Sequence, residues 1–249
     1  MSSPDAGRPD RRAVLEQLSR AQKPPGAGSP AYSRFVNRRL GRQLAAVAHL
    51  AGATPDQVSI LSAAATAGAL VLVAFAPVGV FSAVAVTAAL VLGYALDSAD
   101  GQLARLTGRS RPAGEWLDHT IDAFKVPAVH LSVLIGWYHG VDRRGALLLA
   151  PVLFAVLASG LFFTPWVMER MRREHAAAAR VAAAGRRGTV RSLLLLPTDF
   201  GVLILLFLLW GAPAVFAAGY LALLIATVLF AALALPRWFG EVVTFGVAR

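Results

Sequence analysis

The chain has 249 residues, of which 57% are apolar and only 15% charged, a balance too apolar for a soluble globular protein of this length. Cysteine is absent, which excludes disulfides and thiolate metal sites and leaves oxygen or imidazole as the available metal ligands. A net charge of +10 would suit nucleic acid, but the arginines cluster beside hydrophobic stretches. Anionic lipid headgroups are the nearer partner there, so nucleic-acid binding is set aside.

Residues 1–30 contain Pro4, Pro9, Pro24, Pro25 and Pro30 among scattered charges and no apolar run. They read as a mobile cytosolic arm with one short helix near Arg12–Gln22, and nothing in them resembles the apolar core of a signal peptide. Between residues 31 and 50 the pattern becomes helical, with Val36, Leu40, Leu44 and Val47 on one face and Arg34, Arg38 and Arg42 on another. This is an amphipathic helix lying on a membrane surface. From residue 51 to 249 six apolar stretches follow, running approximately over Val58–Pro77, Val78–Ala99, Gly114–Tyr138, Ala146–Val167, Leu193–Trp210 and Pro213–Leu235. Each is close to the roughly 20 residues a helix needs to cross hydrocarbon. The fold class is therefore all-α integral membrane, six transmembrane helices preceded by a juxtamembrane amphipathic helix.

Orientation follows from Lys and Arg, which are retained on the cytoplasmic side. Of the 24, 21 lie in segments that agree with both termini being cytoplasmic; Arg143 and Arg144 lie on the other side, and Lys125 lies within the third stretch. The expected location is thus a cell membrane, crossed several times.

Five of the fourteen acidic residues fall between Asp97 and Asp122, at the ends of two hydrophobic helices and the loop joining them. A carboxylate in a membrane costs several kcal/mol unless paired or bound to a cation, so the concentration is a functional signal. Asp97, Asp100, Gly101, Ala104 and Arg105 share one helical face, and Gly114, Asp118 and Asp122 share a face of the next helix. With a short loop between them the two helices are expected to pack as an antiparallel pair, so that the four aspartates meet at one depth. That depth is about 6–12 Å from the loop end, just inside the cytoplasmic boundary. No Lys or Arg is expected at their own level, and neutralising them requires cations. Hard oxygen ligands suit Mg²⁺ or Mn²⁺, and two ions sharing carboxylates suit displacement at phosphorus. Gly101, Ala104 and Gly114 leave room against the backbone, and Arg105 can meet a diphosphate or brace an aspartate.

The string Asp97-x2-Asp100-Gly101-x2-Ala104-Arg105-x8-Gly114-x3-Asp118-x3-Asp122 resembles, without a mismatch, the signature of the CDP-alcohol phosphotransferase family. The amphipathic helix and six spans resemble the family architecture over residues 31–249; the arm before Ala31 lies outside the resemblance. The resemblance implies that Asp97, Asp100 and Asp118 are metal ligands, and that Asp122 lies near a second metal and acts as general base on the acceptor hydroxyl. It implies that Gly101, Ala104, Arg105 and Gly114 form the nucleotide pocket, that CDP-diacylglycerol is the donor, and that the enzyme is a homodimer. The segment Thr54–Ser59 is similar to the family's opening of the first span, so Asp56 is carried over as a contributor to the nucleotide site.

For the acceptor, Lys125 lies one turn beyond Asp122, and Arg191 and Asp199 flank the entry of the fifth span. These three are the candidate contacts for a polar alcohol, either a polyol or a polyol phosphate. Each also has a plainer reading: pairing with Asp122 for Lys125, a basic topology signal for Arg191, and helix capping for Asp199. The arginines of residues 34–42 read first as lipid anchors and second as substrate contacts. A carboxylate-lined divalent metal-ion transporter is the alternative function, against which the site's nearness to one face and the lack of an internal inverted repeat both weigh.

Overall fold

The computed structural model describes residues 10–22, 30–140, 145–175 and 199–247. Eight helices can be followed in chain order. They are α1 (Arg11–Arg20), α2 (Arg38–Leu50, entered through a π turn at Ser33–Asn37), α3 (Pro55–Phe75), α4 (Val80–Leu106) and α5 (Pro112–Gly140). Then come α6 (Leu149–Glu174, entered through a 3₁₀ turn at Ala146–Leu148), α7 (Phe200–Leu206, continued by a 3₁₀ turn to Leu209) and α8 (Pro213–Val247). No strand occurs among the described residues. Arg191, Arg143, Arg144 and most of the basic loop before α7 lie outside them.

The helix boundaries follow from local chemistry. Thr54 opens α3 with a reciprocal capping box, its hydroxyl accepting from Gln57 N–H while the Gln57 side chain accepts from Thr54 N–H, and Pro55 occupies the first turn, where no N–H is needed. At the other end of the next helix, Gly108 adopts φ +64°. That left-handed residue lets Arg109 N–H return to the Ala104 carbonyl at 2.9 Å, ending α4 just beyond the motif's Arg105.

Among the described residues, four helices are long and apolar enough to cross a bilayer, over Pro55–Phe75, Val80–Leu106, Ala146–Glu174 and Pro213–Phe245. The protein is therefore an all-α, multi-pass membrane protein. Large apolar side chains such as Phe75, Phe81, Val156, Phe163 and Phe239 are exposed on these helices, as a lipid-facing surface requires. Two of the six expected spans are not among the four. α5 is long enough at 29 residues, but Glu115, Asp118, Asp122, Lys125 and its histidines lower its hydropathy. For the fifth stretch, the described apolar helix covers only Phe200–Leu209.

Two apolar cores hold the bundle. The larger, toward the end of the bundle away from the motif, joins α3 to α8 through Val73, Val86, Val133, Trp137, Trp210, Phe216 and Tyr220. The smaller lies at the motif end and joins α1, α2, α3 and α4 through Val14, Leu18, Ala45, Ala46, Val58, Leu96, Ala99 and Leu103. The short helix expected in the arm is thus present and docked. The amphipathic helix also presents a third face that the charge pattern did not show. Val36, Leu40 and Val47 remain exposed, whereas Gly41, Ala45 and Ala46 are buried, and α2 packs on α4.

One expectation is corrected. α4 and α5 do not pack as a close antiparallel pair; α3 packs extensively against both, while direct approach of α4 to α5 is slight. The reason lies in close backbone contacts that favour α3 as the partner. A Cβ added at Gly93 of α4 would stand 2.4 Å from Thr66 Oγ1, and one at Gly136 of α5 would stand 2.4 Å from the Val73 carbonyl oxygen. Two glycines on different helices thereby seat α3 between them.

This packing generates a stability prediction. Gly136→Ala should lower the thermal midpoint of the detergent-solubilised protein, costing about 1–3 kcal/mol through overpacking. Gly68→Ala, whose Cβ would meet nothing within 4 Å, should leave the midpoint unchanged or raise it slightly. Equal midpoints for the two variants would show that the α3–α5 contact is not the tight one described.

Candidate metal and nucleotide site

The carboxylates that the sequence singled out come from α4 and α5, on helices held apart by α3. Asp97, Asp118 and Asp122 each place an oxygen within 4.8 Å of the others. Asp100 lies apart from this trio and is nearly buried. It accepts from Ser59 Oγ at 2.5 Å and from the Gly101 N–H at 2.5 Å. All four aspartates gather at the motif end of the bundle, but three meet one another and the fourth is held by α3.

A cleft of about 220 Å³ opens beside them, lined by Gln22, Arg38, Asp97, Ser98, Asp100, Gly101, Gln102, Arg105 and Asp118. The expected pocket residues therefore divide. Gly101 and Arg105 line the cleft, and the Arg105 Nε is buried with no hydrogen-bond partner among the described residues. Ala104 is on α4 but not in the lining. Gly114 lies against a different feature, the ion pair of Asp56 with Arg111, since a Cβ there would stand 3.7 Å from Asp56 Oδ1. Asp56 is thus engaged by the α4–α5 loop rather than by the cleft.

Lys125 overturns the expectation that no cation stands at the level of the aspartates. Its ammonium donates to Asp97 Oδ1 at 2.6 Å, to Asp122 Oδ1 at 3.1 Å and to Ser62 Oγ at 3.2 Å. Helical side chains lean toward the N-terminus, and a four-carbon stem on that path brings the ammonium back one turn to the carboxylates. Lys125 consequently faces inward and away from lipid, its side chain 12% exposed.

Asp199 takes the capping role. One oxygen accepts from Gly201 N–H at 3.0 Å at the start of α7, and the other accepts from Tyr32 N–H at 2.8 Å at the start of the amphipathic segment. Burial, with a smaller contribution from the Asp199 charge, raises the Tyr32 phenol above its ordinary pKa. With both oxygens committed to backbone donors, Asp199 is a clasp between two distant segments. Arg191 lies outside the described residues. His119 packs its ring 4.0 Å from that of Trp166, with Nδ1 3.7 Å from Asp118 Oδ2 at the border of the trio.

Gln22, Ser62, Ser98 and Gln102 at the site were missed by sequence reasoning, and Ser59 was noted only as part of the segment opening the first span. Ser59 and Ser62 stand three apart on an apolar helix, a signal that was legible as paired small hydroxyls on one face. Gln22 gave no such signal, because the arm was read as peripheral, and Arg38 was read first as a lipid anchor and only second as a substrate contact.

The trio fits a hard divalent cation. Oxygen ligands on opposite sides of a Mg²⁺-sized ion stand about 4.2 Å apart, within reach of a group already gathered to 4.8 Å. The donors are all carboxylate oxygens, which suits Mg²⁺ or Mn²⁺. A scan against protein-family models found none that matches this chain, and a search of curated proteins found no match.

Mn²⁺ binding to the purified protein, read by electron paramagnetic resonance of the free ion, separates the roles assigned above. Asp118→Asn should weaken Mn²⁺ at least tenfold, about 1.4 kcal/mol. Asp199→Ala should leave Mn²⁺ affinity unchanged while costing about 1–2 kcal/mol of stability through the lost cap. The reverse pattern would reassign Asp199 to the metal site.

Proposed function

We propose that the protein is a CDP-alcohol phosphotransferase of the membrane. It moves a phosphatidyl group from CDP-diacylglycerol to the hydroxyl of a polyol or polyol phosphate and releases CMP. The observation that carries this reading is the meeting of Asp97, Asp118 and Asp122 beside a cleft lined by Arg38 and Arg105. The motif resemblance supports it by joining those same residues at the family's spacing. In this reading the chain has six spans, with both termini and the site at the cytoplasmic face, and works as a homodimer.

Asp97, Asp100, Asp118 and Asp122 would hold two divalent cations. Such ions, when bound, polarise the donor diphosphate and offset charge on the departing CMP. Arg105 and Arg38 hold the diphosphate oxygens by charge-assisted hydrogen bonds. Asp122 accepts the proton of the alcohol as its oxygen attacks the phosphorus that carries diacylglycerol. The bond from that phosphorus to the bridging oxygen breaks, and CMP leaves with the electron pair. Ser59 keeps Asp100 oriented within α4. Lys125, inward and cationic, is the group placed to meet an anionic acceptor near Asp122.

The decisive assay is release of CMP from CDP-diacylglycerol by the purified protein with Mg²⁺ or Mn²⁺ and a panel of alcohols, with the lipid product weighed. Metal flux into vesicles without CMP release would favour a cation transporter instead. Asp118→Asn and Asp122→Asn should each reduce turnover below a few per cent of wild type, Asp122→Asn with donor binding retained. Normal turnover by Asp122→Asn at neutral pH would exclude that residue as base. Lys125→Ala should raise the acceptor KM about tenfold, about 1.4 kcal/mol, with little change in the KM for CDP-diacylglycerol.

A further inference from the structure

The helix α1 belongs to the arm, outside the stretch that carries the motif, yet the cleft is incomplete without the residue that follows it. We propose that Gln22 binds the base of the donor nucleotide and that docked α1 supplies the site's choice of base. This rests on the phosphotransferase reading above.

α1 is brought to the site by two side chains. Val14 and Leu18, four residues apart on one face, are buried with Ala45, Ala46, Leu96, Ala99 and Leu103, while Arg12, Glu16 and Arg20 remain exposed. Arg11 adds a hydrogen bond to Gln43 at 2.7 Å. Ten residues are too few for a stable isolated helix, so α1 owes its order to this bed. The chain then leaves the helix at Ala21 and delivers Gln22 to the cleft wall.

The lining sorts by chemistry into three kinds. Asp97, Asp100 and Asp118 suit cations, Arg38 and Arg105 suit phosphate oxygens, and Gln22 is a neutral carboxamide that carries both a donor and an acceptor, with the amide of Gln102 beside it. A cytidine diphosphate divides the same way: its diphosphate needs the charged groups, and the cytosine edge needs a neutral donor and acceptor. The two carboxamides lie 3.2 Å apart. Gln102 donates its amide nitrogen to the Arg38 carbonyl and the Ser98 hydroxyl, each at 3.2 Å, so its oxygen is the end that accepts from Gln22 Nε2, which fixes which end of the Gln22 amide points where. A carboxamide of fixed polarity distinguishes cytosine from uracil, whose amino and ring-nitrogen positions have donor and acceptor exchanged.

The test uses the full chain in nanodiscs with Mn²⁺ present, measuring CDP and UDP affinity by calorimetry and Mn²⁺ affinity separately. Gln22→Ala should weaken CDP about tenfold and narrow the preference for CDP over UDP, with Mn²⁺ affinity unchanged. Val14→Asp, which drives α1 off its apolar bed, should reproduce both changes. An unchanged CDP affinity in Gln22→Ala overturns the assignment, whatever Val14→Asp does. Loss of Mn²⁺ binding in Gln22→Ala overturns it too, because the residue would then act through the metal site. If wild-type protein binds no CDP, the phosphotransferase reading itself fails; if only the variants match wild type, this inference alone fails.

Discussion

The structure depends on holding carboxylates of one sign close together within a membrane protein. Like charges at such separation repel, and the repulsion grows as water is excluded. The chain meets this with two devices. α3 separates the backbones of α4 and α5, so the aspartates approach only through their side chains. Lys125 and the hydroxyl of Ser59 then bond the oxygens from the interior side, and Ser62 accepts from the Lys125 ammonium. What remains open is the side facing the cleft, where a cation or a polyphosphate can enter.

The division of packing follows from that requirement. At the end away from the site, bulky rings interlock: Trp210 and Phe216 meet edge to face with centroids 4.9 Å apart, and Trp137 meets Tyr220 at 5.4 Å. His130 bonds to the Tyr220 hydroxyl at 2.7 Å, so these two polar groups satisfy each other within the bundle. At the site end the core is built largely of alanine and valine, with backbones close together and polar groups between them. Rigidity at the aromatic end holds the helix axes. The small residues at the site end leave space for the cleft.

Much of this was legible in the sequence, for reasons that differ by residue. The spacing of Asp97, Asp118 and Asp122 fixes their helical faces, and side chains on one face point one way whatever else happens, so their meeting was readable. The assumption that a short loop makes its two helices neighbours failed, because Gly93 and Gly136 specify contact with α3 and single glycines do not reveal their partners. Pairing with Asp122 was one reading of Lys125 and is observed, but its bond to Asp97 was not foreseen, since periodicity places a Cα and says little about where a long side chain ends. Asp199 was correctly open to capping, but its second bond to Tyr32, across 167 residues, has no local signature. Gln22 lay in a segment whose composition resembles a linker, and only the burial of Val14 and Leu18 ties it to the site.

The crossing of α2 over α4 has one more effect. A Cβ at Gly41 would stand 2.7 Å from the side chain of Ser98, the residue after Asp97, so the contact leaves no room for a methyl group. Val36, Leu40 and Val47 of α2 are exposed; on the proposal that this helix lies at the lipid–water boundary, they would turn toward lipid. Its contact at Gly41 would then work as a depth gauge, the single missing methyl group setting how far below the boundary the aspartates hang. Adding bulk at that position would act like a shim beneath the helix, changing the level of the site relative to the headgroups without touching a carboxylate.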